Sequence, residues 1–321
     1  MRLSVISKLA GVAATALGLY LLYRVLSRYE VDEIRSALGD LSAVDLGLAA
    51  GFGVVSFLAL SAGEFLAVRY AGHALPPSRV AKTTVAAIGI GHALGLAAFS
   101  SGAIRYRMYG RDGVDLPELG KIMLFSGLTV ACGIACVGSV AMLARPQAIA
   151  AFIGLSPGQT QWLGAALLTA VLLYLAACLF VRGAVRLLHM TIALPGIRLA
   201  LGQAIAGSAN YASIAACLFA CVRPFADAGY PTVAALYVGS DAAAVIGHVP
   251  GGWGVLEYVL TAALAQPGLI AGILVFRTVY YLVPLFVGLA VFAQDELAAL
   301  RDRSRSATPE IERQARAVAP R

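Results

Sequence analysis

Five charged residues stand in apolar surroundings: Arg105 and Arg107 in "SGAIRYRMYG", Asp241 in "VGSDAAAV", Glu257 in "PGGWGVLEYVL" and Arg277 in "VFRTVYYLVP". A charge at the centre of a bilayer costs at least about 2.5–3.5 kcal/mol, so each needs a partner or a ligand. The planar fork of arginine donates two hydrogen bonds at once, which suits Arg105, Arg107 and Arg277 to a phosphate group. Glu257 and Asp241 supply the opposite sign, for a cationic head group or for the arginines themselves. The glycines and proline beside Glu257 break the apolar run. Pro250 removes a donor, and Gly251, Gly252 and Gly254 permit backbone turns that other residues resist. Ser101 and Gly102 offer a second break, with Ser100 or Ser101 as a helix cap. A helix restarting after each break would point free N–H groups and a positive dipole end at an anion.

Each charge also has a plainer reading. Glu257 and Arg277 can form a structural ion pair that pins the broken segment to the last apolar run. Arg107 and Arg111 can be anchors under the positive-inside bias. Glu64 lies near the end of an apolar run and reads as interfacial, within reach of water or Arg69. His92 and His248 read as hydrogen-bonded packing rather than a proton relay. Tyr280 and Tyr281 read as packing or interfacial belt residues.

The elements that carry these residues belong in a membrane. The chain has 321 residues, 60% hydrophobic and 13% charged, with a mean hydropathy of +0.82; soluble domains sit near 45–50% apolar and 25% charged. Six runs are long enough to cross: about 7–27, 43–69, 118–143, 160–181, 199–222 and 268–292. The basic start before the first run resembles a secretion signal, but the run exceeds a signal's apolar length and is expected to be retained. Between the first two runs, Val31, Ile34, Leu38 and Leu41 predict a short interfacial helix. Residues 1–292 form the predicted membrane domain and 293–321 a charged cytoplasmic tail.

Two further segments, 79–107 and 231–262, could cross once or enter and leave by one face. Charge favours the second option. If both are re-entrant, 18 of the 24 Lys and Arg fall on the cytoplasmic side with both termini, five fall outside, and Arg277 lies within a span. The segments also resemble each other. "TVAAIGIG" from Thr84 aligns with "TVAALYVG" from Thr232, and "GAIRY" from Gly102 with "GVLEY" from Gly254. Three crossings separate the copies, so the second is inverted. The expected fold is an all-α integral membrane protein of about six transmembrane helices and two opposed re-entrant hairpins, eight hydrophobic segments in an inverted repeat.

Other chemistries find no support. No Gly-Lys-Ser/Thr follows "GGWG", so it is no phosphate-binding loop. Cys132, Cys136, Cys178, Cys217 and Cys221 lie inside apolar runs with no His or acid at ligand spacing. No metal and no cofactor are expected. The net charge of +7 is not gathered into an aromatic-interleaved basic surface, so nucleic acid is no expected partner.

Taken together, "PGGWGVLEYVL", "SGAIRYRMYG" and "FRTVYYLVP" resemble the transmembrane flippase region of the lysylphosphatidylglycerol synthases and the YbhN-like membrane proteins that share it, over most of residues 1–292. The resemblance implies a multi-pass domain of the bacterial inner membrane that moves an aminoacylated or other anionic phospholipid between leaflets. Its matching residues would be Arg105 and Arg107, then Gly251, Gly252, Gly254 and Glu257, then Arg277. The bifunctional relatives carry a synthase domain after the membrane region. The short tail here implies a protein that is not itself an enzyme, and leaves its lipid open. The alternative is a membrane subunit or scaffold of a lipid-modifying enzyme. A membrane phospholipid is the expected partner, with a separate lipid-synthesising enzyme or a second copy of the chain also open.

Overall fold

The computed structural model describes residues 31–94, 97–181, 184–187, 190–247, 252–266 and 268–318. The expected first span, 7–27, lies outside the described residues, as do His248, Pro250 and Gly251. Helix α1 is Val31–Gly39, and α2, Ala43–Tyr70, follows a Ser42 cap whose side chain accepts from the Asp45 N–H. Two shorter helices come next, α3 (Pro77–Leu94) and α4 (Ala97–Tyr109). Helix α5 (Leu116–Ala144) starts at Asp115, which shares a reciprocal cap with Glu118. Helices α6 (Pro146–Ile153) and α7 (Pro157–Phe180) follow, then a ribbon of β1 (Ala184–Leu187) antiparallel to β2 (Met190–Ala193). The second half comprises α8 (Ile197–Val222), α9 (Tyr230–Ile246), α10 (Val255–Leu264), α11 (Leu269–Arg277) and α12 (Val283–Val318).

Apart from the ribbon, the described fold is helical. Five stretches are long and apolar enough to cross a membrane: α2, α5, α7, α8 and the continuous run Leu269–Arg301. They match five of the six expected runs within a few residues, except that the last extends nine residues further, to Arg301. That last run contains a π turn at Thr278–Leu282. Pro284 explains it: the proline has no N–H, and its ring would clash with the carbonyl four residues back.

Helix α8 lies at the centre, with Cys217, Leu218 and Cys221 fully buried, packed against α2, α5, α9 and α11. It runs antiparallel to α2, because the two are tied at both ends. Asp45 at the start of α2 pairs with Arg223 at the end of α8. The Tyr70 hydroxyl at the end of α2 donates to the Ala193 carbonyl, just before α8, at 2.5 Å.

Four of the shorter helices pair off, α3 with α4 and α9 with α10. Arg79, at the start of α3, donates to the Met108 carbonyl near the end of α4 at 2.8 Å, so α3–α4 begins and ends near the close of α2. At the other end of the bundle, the start of α11 meets Phe225, just past α8, which puts α9–α10 between two points close to the end of α8. With α2 and α8 opposed, the two pairs begin and end at opposite ends of the bundle. The packing shares this symmetry: α2 touches α3 and α5 as α8 touches α9 and α11, and α3 lies on α12 as α9 lies on α5.

One expectation needs correction. Ser101 and Gly102 do not make the first break, since both lie within α4. A β-carbon on Gly102 would meet the Met123 sulfur at 3.1 Å, so this glycine serves close packing rather than a turn. The short helix expected between the first two runs is present as α1; it packs against α11, and Ala37 and Leu41 join the main core. The charged region expected as a tail after 292 is helical as far as Val318 within α12, and its first acids are engaged by the first hairpin (below).

Candidate functional site

Each hairpin contributes one charged residue to an ion pair whose arginine is buried, with Glu64 buried in the first and Glu257 half-buried in the second. On α4, Arg105 is 4% exposed. Its Nε and Nη2 donate to the two carboxylate oxygens of Glu64 on α2, at 2.6 and 3.0 Å. Ser126 on α5 donates to Glu64 at 3.0 Å. Glu64 is 2% exposed, not interfacial as its place near the end of the run implies. The α2–α5–α8 crossing lets these groups meet. A β-carbon on Gly133 would lie 2.5 Å from the Gly207 carbonyl, so α5 and α8 approach backbone to backbone.

In the second hairpin the signs are exchanged. Glu257, in the first turn of α10, receives Nε and Nη2 of Arg277 on α11, the latter at 2.9 Å. Arg277 is 1% exposed; its Nη2 also donates to the Gly252 carbonyl at 3.2 Å, and its guanidinium lies 4.1 Å from the Trp253 ring centroid, a cation–π contact. Gly252 and Gly254 have positive φ, 60° and 84°, where the chain turns into α10. The Gly254 N–H donates to Glu257 at 2.9 Å. This helix terminus is therefore satisfied by its own glutamate, rather than held open for an anion.

The other two candidates lie apart. Arg107 is on the outer side of α4, its side chain 54% exposed, and donates twice to Glu296 on α12 at 2.9 Å. Arg111 also binds Glu296 and Asp295, and Arg79 bridges Asp295 and Asp112. Arg107 thus belongs to a surface charge cluster joining the hairpin mouth to α12. Asp241, on α9, accepts from the Tyr211 hydroxyl of α8 at 2.7 Å, and lines a small cavity with Tyr237, Arg277 and Tyr281.

A larger cavity, about 50 Å³ and mostly apolar in its lining, opens beside Glu64 and Arg105, with Thr84, Thr129 and Asn210 among its polar residues. At roughly 10–15 Å³ for each water centre, this has room for about three to five waters. Asn210 is 5% exposed and accepts from Ser56 at 2.7 Å; Ser56 shares a 2.7 Å hydrogen bond with Tyr280. Its amide nitrogen and Nη1 of Arg105 make no hydrogen bond among the described residues, which leaves two donors to the cavity. Asn210 had one signal in the sequence, an amide inside an apolar run. No residue spacing pointed from it to Arg105.

The free cysteines, four of them buried, do not converge on a metal: among the described residues no three His, Cys, Asp or Glu side chains gather.

No protein-family model matches the chain, so the likeness to the lysylphosphatidylglycerol synthase membrane region rests on its motifs. Two relatives are similar along most of their length. Inner membrane protein YbhN of Escherichia coli (strain K12) is 29% identical over 286 residues, 86% of this chain and 87% of the relative. Uncharacterized protein slr0712 of Synechocystis is 24% identical over 264 residues, 81% of this chain and 82% of the relative. The chain is thus similar, over most of its length, to YbhN-like inner membrane proteins.

Proposed function

We propose that this chain is a multi-pass inner-membrane protein that moves an anionic phospholipid, such as an aminoacylated one, between leaflets. In this reading α3–α4 and α9–α10 are re-entrant hairpins from opposite faces. With 7–27 as a sixth span, both termini are cytoplasmic. The observation that carries the reading is the exchange of sign between equivalent hairpin positions: Arg105 and Glu257 align in the repeat, and each is paired with a neighbouring helix inside an apolar bundle. Likeness to an inner membrane protein along most of the chain supports the location.

The chemistry follows from partner exchange. A lipid phosphate takes the place of Glu64 on Arg105, assisted by the donors of Arg105 Nη1 and Asn210. It takes the place of Glu257 on Arg277 in the other half. The displaced carboxylate then faces a cationic head group where the lipid carries one. Both attractions strengthen in a low-dielectric cavity. The cavity seen here is too small for a head group, so it corresponds to a closed state that opens as one half rocks against the other.

Leaflet exchange of fluorescent phosphatidylglycerol and lysyl-phosphatidylglycerol in proteoliposomes tests this directly. Wild type should exchange lipid, and folded Arg277→Lys, which keeps charge but loses the bidentate fork, should lose at least about tenfold, the equivalent of one 1.4 kcal/mol contact. Glu257→Gln should slow the lysyl lipid more than the plain one. Folded wild type that exchanges neither lipid overturns the proposal and favours a membrane subunit or scaffold of a lipid-modifying enzyme.

A further inference from the structure

The carboxylate of Asp241 differs from the other two in the interior. Glu64 and Glu257 each hold an arginine by two hydrogen bonds, whereas among the described residues the one hydrogen bond to the Asp241 side chain comes from a neutral hydroxyl, that of Tyr211. Arg277 lines the same cavity but is bound to Glu257. The guanidinium that lines this cavity is thus already paired with another carboxylate. The other groups around Asp241 are uncharged in their ordinary state: Tyr211 from α8, Tyr237 and Ser240 from its own helix, and Tyr280 and Tyr281 from the π turn. Helix α6 has no charged residue. The charged residues of α5, Glu118 and Lys121, lie about five turns from its contact with α9 at Gly138 and Val238. Among the described residues the site is left with one excess negative charge in a medium that penalises it.

We propose that Asp241 is a proton-binding site, which takes up and releases one proton through the cavity beside it. The space favours a proton over a metal ion. The cavity is about 10 Å³, near the minimum for one water, whereas a hard cation collects six or more oxygens. Protonation makes the Glu257–Asp241–Arg277 group neutral, and release restores the charge next to the ion pair that holds the second hairpin. If the chain transports lipid as proposed above, this makes the second hairpin respond to a proton gradient.

Infrared difference spectroscopy of the full chain in lipid reads the proton without any transport. At pH 7 wild type should show a protonated-carboxyl band that shifts in deuterated water and is missing from Asp241→Asn. Tyr211→Phe removes only the hydrogen bond and should move that band while keeping it, a control should Asp241→Asn fold poorly. A wild-type spectrum indistinguishable from that of folded Asp241→Asn, together with no shift in Tyr211→Phe, overturns the site. In proteoliposomes with an imposed pH gradient, wild-type exchange should depend on the gradient and Asp241→Asn should not. Exchange blind to the gradient overturns the link to transport. The band with no exchange of any lipid leaves the proton site standing and refutes the transport reading.

Discussion

Removing one partner of a buried ion pair strands the other, so the two buried pairs are asymmetric in their energetics. An intact pair contributes little net, because desolvation offsets attraction, while loss of one partner costs about 3–5 kcal/mol. Glu64→Ala should cost about that much, since Arg105 is almost fully buried behind it. Glu64→Ala with Arg105→Met should recover most of the loss, because no uncompensated charge remains. Unfolding of single and double variants in one detergent checks this; a double variant as unstable as the sum of its singles would deny the coupling. The two pairs were unequally legible in the sequence. Glu257 and Arg277 are 20 residues apart, both flanked by apolar residues, and an ion pair between them was one of the readings open. Glu64 and Arg105 are 41 apart, and a nearby Arg69 and the end of the run made water the plainer partner for Glu64. Only the packing of α3, α5 and α8 around α2 decides between them.

At the scale of elements, glycine carries two meanings that sequence does not separate. Gly252 and Gly254 turn the chain through positive φ, as the Pro-Gly cluster suggests. Gly102, in a similar small-residue setting, instead gives Met123 room, so the first hairpin does not break where the serines are. Gly133 and Gly207 permit the α5–α8 approach on which the larger cavity depends. Gly133→Ala would push a methyl group to 2.5 Å from the Gly207 carbonyl. The helices must part, and the expected cost is about 1–3 kcal/mol or more. Gly120→Ala, on the same helix with nothing within 4 Å, should gain about 0.5–1 kcal/mol from helix propensity alone. Thermal unfolding of both variants separates close packing from propensity; equal effects would mean that the crossing is looser than described. The long spans were legible for a simpler reason, that twenty consecutive apolar residues admit few other structures.

Direction in the membrane belongs to the whole molecule, and the ties between helix ends make it testable. The α3–α4 hairpin starts and finishes near the end of α2, and α9–α10 starts and finishes near the end of α8, which is antiparallel to α2. If these hairpins are re-entrant, Ser78 and Lys121, which flank the first, share one face of the membrane. Asp227 and Gln266, which flank the second, share the other. A full crossing by either segment would split its flanking pair. All four residues are exposed, while four of the five native cysteines are buried within helices and Cys136 is half-buried. Single cysteines at the four positions, placed in a chain without the native cysteines, can be labelled with a membrane-impermeant maleimide in sealed vesicles of known orientation. Ser78→Cys and Lys121→Cys should label from the cytoplasmic side and Asp227→Cys and Gln266→Cys from the other. Opposite labelling within either pair would remove that hairpin and, with it, the inverted symmetry that places Arg105 and Glu257 in equivalent positions. The same labelling bears on the surface charge cluster. Arg79, Arg107 and Arg111 grip Asp295 and Glu296 at the mouth of the first hairpin, so Glu296→Lys should loosen that mouth and raise the labelling rate at Ser78. It should leave Asp227 unchanged, because the second hairpin opens at the far end of the bundle.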